Sequence, residues 1–144
     1  MPGFLPAKYH VGMQFGGTVL YVEEVPPVVD FYRRAFGLEL RFFDETLGFA
    51  ELETGGSTVA IAAHSLGEML MPGGYLRPAD GHPAGVEIAF ITRDVPASFA
   101  RAIAEGAKPV TSPKRMPWGL EVAYVQAPEG TLIGFSEPPP SAAQ

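Results

Sequence analysis

Two carboxylates stand inside short apolar runs: Glu51 within residues 49–53 (Phe-Ala-Glu-Leu-Glu) and Glu87 within 86–91 (Val-Glu-Ile-Ala-Phe-Ile). A buried carboxylate without a partner is costly, so an acid in such a place is either paired or put to use. Glu87, flanked by aliphatic and aromatic side chains, is the stronger functional candidate. For Glu51 two readings stand, a functional group or an ion pair with Arg41 on a neighbouring strand. The two could act as general acid and base, but a pair of carboxylates of unknown separation is a weak signal. Glu53 and Glu121 lie near strand ends, where solvation is the simpler reading. His64 closes a strand beside a loop, a place that suits an ordinary surface histidine as well as a ligand contact. Trp118 follows Pro117 on the approach to a strand and reads either as a rim lid or as plain packing. His10 and His82 fall in loops and carry no role.

Other chemistries are absent. The chain has no cysteine, which removes disulfides, thiolate metal sites and a cysteine nucleophile. No Gly-x-Ser-x-Gly elbow occurs. Thr54-Gly-Gly-Ser-Thr58 reads as a hairpin, and no Walker pattern is present. The formal net charge of −6 leaves no basic stripe for a phosphate backbone, so no nucleic-acid partner is expected. With 47% hydrophobic and 18% charged residues, the 144-residue chain reads as globular. The first residues lack the apolar run of a signal peptide, and no segment is long enough to span a membrane. A soluble cytoplasmic protein is the default expectation.

The elements that must position these residues recur in order. Residues 18–22 read as a strand, and Glu24-Val-Pro26 opens a helix, with proline in the first turn where its missing N–H costs nothing. Val29, Tyr32 and Phe36 keep helical spacing, and Gly37 supplies the stop. Strands follow at 38–43, 49–53 and 58–62, the last two joined by a hairpin. The Gly- and Pro-rich stretch 65–84 reads as a long loop, which inside a compact domain is usually functional or a linker. Tyr75, Met69 and Met71 within it could cover a cavity or a partner subunit. Then the order restarts. Residues 86–91 form a strand, Asp94-Val-Pro96 opens a helix carrying Phe99 and Ile103, Pro109-Val110 is a short extended piece, and 120–126 and 131–136 form a hairpin. The expected organisation is an N-terminal arm (1–14), a first βαβββ module (15–64), a linking loop (65–84), a second βαβββ module (85–137) and a disordered tail (138–144).

Four stretches carry a family resemblance: Val19-Leu-Tyr-Val-Glu-Glu-Val25, Asp30-Phe-Tyr-Arg-Arg-Ala-Phe-Gly37, Phe49-Ala-Glu-Leu-Glu-Thr-Gly-Gly56 and Ala127-Pro-Glu-Gly-Thr-Leu-Ile-Gly-Phe135. Over roughly residues 16–137 the chain resembles the glyoxalase/bleomycin-resistance/extradiol-dioxygenase (vicinal-oxygen-chelate) superfamily. Its Pro-Glu-Gly turn is similar to that family's Asp-Pro-Asp-Gly turn, with Ala127 in place of the first Asp. The resemblance implies an α+β fold, two βαβββ modules forming a cupped mixed sheet with the helices outside. It also implies a homodimer. In metal-dependent members four ligands come from the first and last strands of the modules, and those places fall on Gly17, Ala60, Glu87 and Gly134. A divalent ion needs three or four protein donors and only Glu87 offers one, so neither a metal nor another cofactor is expected.

If those four positions face the cleft, strand alternation brings others with them. Val19 and Tyr21 join from the first strand, and Phe49, Glu51, Glu53, Thr58, Ala62 and His64 from the hairpin. The second module adds Ala89, Ile91, Leu132 and Ser136, and by the same logic Glu121, Ala123 and Val125. Small residues would leave room, with acids beside it. Tyr21, Phe49 and Trp118 together with Glu51, Glu87 and His64 would then suit a cationic or amphipathic small molecule, through charge pairing and cation–π contact. The expected function is metal-free binding by sequestration. The alternative is a lyase, isomerase or dioxygenase with a displaced metal site or acid–base chemistry through Glu87.

Overall fold

A computed structural model describes residues 12–77 and 82–140. The greater part of the expected arm, with His10, and the end of the expected tail lie outside the described residues, and 138–140 carry no regular structure.

Strand β1 (Gly17–Val22) leads into helix α1 (Val25–Phe36), then β2 (Glu39–Asp44), β3 (Phe49–Glu53) and β4 (Thr58–Ala63). The second module repeats this with β5 (Glu87–Ile91), α3 (Val95–Ala104), β6 (Lys108–Arg115), β7 (Glu121–Gln126) and β8 (Leu132–Ser136). The sheets run β1-β4-β3-β2 and β5-β8-β7-β6. The first and last strands of each module pair in parallel and the rest antiparallel. In each module the helix carries the chain from the first strand to the far edge of the sheet, and two antiparallel strands bring it back to the parallel pairing, a long connection of the kind parallel strands require.

Both helices open as their sequences dictate. Pro26 and Pro96 sit in the first turn, and the Asp94 carboxylate accepts from the Ala97 N–H at 3.0 Å. Gly37 ends α1 at φ 71°, a left-handed conformation that glycine adopts without strain. The apolar face of α1 buries Val25, Val28, Phe31 and Tyr32 in a cluster with Leu52 and Ile61 of its own sheet and Val125 and Ile133 of the other. Phe36 crosses to the second sheet and stacks on Phe90, ring centroids 4.6 Å apart, with Phe135 at 6.0 Å. Arg101 donates to the Arg34 carbonyl at 2.7 Å, and Arg34 pairs with Glu105. The two modules therefore share one core.

Three expectations are corrected. Residues 65–84 are not all loop, because His64–Leu70 form a helix, α2. At seven residues and without a side-chain cap it is too short to stand on propensity, and the packing described below holds it. The short extended piece at 109–110 is an eight-residue strand, β6. Its prolines read as breakers, but β6 is the outer edge of its sheet, where a missing N–H is tolerated, and register shifts around Thr111 absorb the irregularity. Finally, Ala123 and Val125 do not face the cleft. Tyr124 pairs with Gly134 and so shares its face, which turns Ala123 and Val125 into the core under α3. Glu121, at the start of β7, donates its backbone N–H to the Glu137 carboxylate at 2.9 Å.

Candidate functional site

On the first sheet, Leu20, Ala50, Leu52 and Ile61 belong to the core, so Val19, Tyr21, Phe49, Glu51, Ala60 and Ala62 occupy the opposite, cleft face. That face is not open. Helix α2 and the segment after it fold back across it, leaving Ala60 and Ala62 buried. Gly67 makes this possible, since a Cβ there would stand 2.8 Å from the Tyr21 ring and closer still to the Tyr75 hydroxyl. The Tyr21 and Tyr75 rings lie 5.3 Å apart. Tyr75 Oη meets Nδ1 of His64 at 2.7 Å. Two residues on, Arg77 pairs with Glu68 of α2 and with Glu23 after β1, fastening the return segment.

His64 is therefore no surface histidine; it is 8% exposed. Burial holds its pKa below the usual value, and the Arg77 charge pushes the same way, so the imidazole is neutral at pH 7. Burial raises the Tyr75 hydroxyl, which stays protonated.

A cavity of about 220 Å³ opens where the edge strand β1 faces the edge strand β5. Val19 and Tyr21 line one side and Val86 and Ile88 the other, with Tyr75 and Leu76 over it and Gly130, Thr131 and Leu132 at the β7–β8 turn. Among the described residues that line this seam, none carries a charge.

The expected site residues are thus divided. Tyr21 lines the seam and His64 stands behind it through Tyr75. Glu51 is 9% exposed and reaches Arg41 Nη1 at 3.4 Å, the ion-pair reading. Arg41 is held more closely by Glu53, at 2.7 Å, and this bond lowers the Glu53 pKa. Phe49 packs on Phe42, centroids 6.0 Å apart, and is outside the seam. Trp118 is 66% exposed at the β6–β7 turn and is not among the residues that line the seam. Glu87 is solvent-exposed on the cleft face of the second sheet. Its carboxylate and the Tyr124 ring fill the space over Gly134, where a Cβ would lie 2.8 Å from Tyr124 Cε1 and would collide with Glu87 Oε2. The roominess expected at Gly134 is taken up by these two side chains.

Sequence reasoning missed a second polar centre beneath the seam. Tyr32, fully buried on α1, donates to Glu129 Oε2 at 2.7 Å across the module boundary. The Thr131 side chain lies beside both groups and favours their charged forms, and Glu129 Oε1 is buried without a partner among the described residues. Burial raises both pKa values, Tyr32 the more strongly. The signal was present: a tyrosine at a core position of a helix needs a partner for its hydroxyl.

The family model described as the glyoxalase/bleomycin resistance protein/dioxygenase superfamily matches residues 14–135. The chain belongs to this superfamily. A glyoxalase-related enzyme from Fulvimarina pelagi superposes with a TM-score of 0.77 at 18% identity, over 88% of each chain. A protein of unknown function from Agrobacterium tumefaciens gives 0.72 at 27%, over 91% of this chain and 98% of that one. A glyoxalase/bleomycin resistance protein/dioxygenase family enzyme from Burkholderia phytofirmans gives 0.66 at 19%, over 85% and 96%. No curated protein matches the sequence. These likenesses place the superfamily's fold on the chain and leave its chemistry to the residues.

The superfamily's metal-dependent members raise the question of an ion. The residues present do not fit one. Gly17, Ala60 and Gly134 bear no donor atom, and the Gly17 position has no room for a longer side chain, because a Cβ there would collide with Thr58. Among the described residues, no three of His, Asp and Glu gather as a ligand group. No helix of the described residues is long and apolar enough to cross a membrane.

Proposed function

We propose that this superfamily member binds a small molecule non-covalently in the β1/β5 seam and on the cleft face beside it. The observation that carries the reading is the seam itself: apolar walls, two tyrosines and a built strap of α2 and Tyr75 that closes one side. At about 220 Å³ it is smaller than the roughly 300–1,000 Å³ of a drug-sized site. It would seat one ring or a short chain. The rest of the ligand would lie against Val19, Ala89 and Ile91, with Glu87 and Tyr124 beyond. A thermal-shift screen of neutral, cationic and anionic amphipathic compounds tests this. Compounds that raise Tm in the presence of a chelator are expected, and a broad screen without a single shift would count decisively against binding.

We further propose that two copies pair. Val19, Val86 and Leu76 line the seam and are 42%, 67% and 98% exposed, an apolar surface that a monomer rarely leaves to water. Light scattering at micromolar concentration should give twice the 15.4 kDa chain mass. A monomer at the same concentration would leave each seam to work alone.

A further inference from the structure

Resting on the seam as a binding site, we propose that Tyr75 and His64 together form the polar reader of that site, and that the ligand group they take is an uncharged hydroxyl or carbonyl on a ring or short chain.

Three observations converge. Tyr75 is on the seam wall, and among the described residues its hydroxyl has one hydrogen-bond partner, His64, at 2.7 Å. A neutral imidazole offers Nδ1 as acceptor in one tautomer and as donor in the other. In the first the Tyr75 oxygen remains free to accept; in the second its proton remains free to donate. The pair can therefore satisfy either polarity of an uncharged oxygen group without any ion being buried.

The placement is built rather than incidental. Gly67 leaves the space in which the Tyr75 hydroxyl lies, Tyr21 packs against its ring, and Arg77 ties the following backbone to Glu68 and Glu23. A side chain fixed from three directions loses little further entropy on binding. The charge balance of the wall selects in the same sense. The carboxylates once expected to draw a cation are elsewhere: Glu51 beside Arg41, Glu87 over Gly134. A cation entering the seam would lose its water with no described carboxylate on the wall to replace it, a desolvation cost that an uncharged group avoids.

Methyl-region and aromatic NMR titrations at pH 7 with toluene, p-cresol and benzylammonium test this. All three carry one ring and differ in the polar group. We expect p-cresol to bind about five- to tenfold more tightly than toluene, the worth of one good hydrogen bond, and benzylammonium to bind most weakly. In Tyr75→Phe the ratio of p-cresol to toluene affinity should fall to within about twofold. In the unsubstituted protein p-cresol, and not toluene, should move the His64 Cε1–H resonance, since His64 stands behind the wall and meets the ligand through the Tyr75 hydroxyl alone, a readout that needs no variant. Toluene shifting Val86 and Ile88 without any p-cresol preference would overturn the reader and leave the seam standing. Tightest binding of benzylammonium would overturn the ligand class. Silence of every seam resonance with all three probes would overturn the seam reading and this one together.

Discussion

Glu129 holds a carboxyl group where one oxygen has Tyr32 for a partner and the other has none among the described residues. Burial raises its pKa, so the folded protein binds this proton more tightly than the unfolded chain does. The stability it contributes is complete below the unfolded value near 4.5 and is lost as pH rises through the folded one. Glu129→Gln removes the titration and keeps an oxygen for Tyr32. Urea melts from pH 4 to 8 should show the variant gaining on the parent protein as pH rises; a difference constant across that range would mean that Glu129 is not the titrating group. Glu53 has the opposite sense, since its bond to Arg41 lowers its pKa, so its help is full above the unfolded value and is lost as pH falls through the folded one. Being exposed, it should shape the curve little. At this scale the sequence was legible in part. Glu51 beside Arg41 was one of the two readings that strand adjacency offered. The buried histidine did not, because its cover comes from Tyr75, and a contact made by a chain folding back leaves no trace in local periodicity.

Helix α2 shows how an element can depend on one missing side chain. Its seven residues lack a cap, and Met69 and Leu70 project into solvent at 69% and 61% exposure. What fixes it is the fit of Gly67 against Tyr21 and Tyr75. A methyl group at this position must push the strap outward. Gly67→Ala is expected to cost about 1–3 kcal/mol, as overpacked sites do, in spite of the better helix propensity of alanine. Hydrogen exchange should quicken over residues 64–76 and stay unchanged in β7 and β8. Unaltered exchange in the strap would show that the ring contacts do not anchor it. The sequence read this stretch as loop because its glycines and prolines outweigh a single helical turn or two. Apart from β6, strands and hairpins were legible to within a residue or two, because alternation and Gly-Gly or Pro-Glu-Gly turns are local signals.

At the scale of the molecule, Phe36 is the side chain through which the first module enters the second, stacked on Phe90 and near Phe135. Phe36→Ala should cost about 3 kcal/mol, toward the lower end for a phenylalanine because the ring is only half-buried. Its effect should reach both modules. Far-ultraviolet circular dichroism, which follows all the strands, and Trp118 fluorescence, which follows the second module, should give one coincident transition in parent and variant alike. Two separate transitions would show that the modules fold independently. The paired architecture was foreseeable from the repeat of strand, proline-led helix and hairpin. The bonds that unite the copies were not, since nothing in a repeat says which face meets which.

Strand β6 carries a consequence beyond its own sheet. It is an outer margin, eight residues long, and has Pro109, Pro113, Lys108, Lys114 and Arg115 along it. Two of its residues have no amide hydrogen to offer, and three add positive charge. A strand from another molecule seeking to extend the sheet would find neither a continuous ladder nor a neutral rim. The irregularity that disguised this segment in the sequence is also its protection from fibrous self-association.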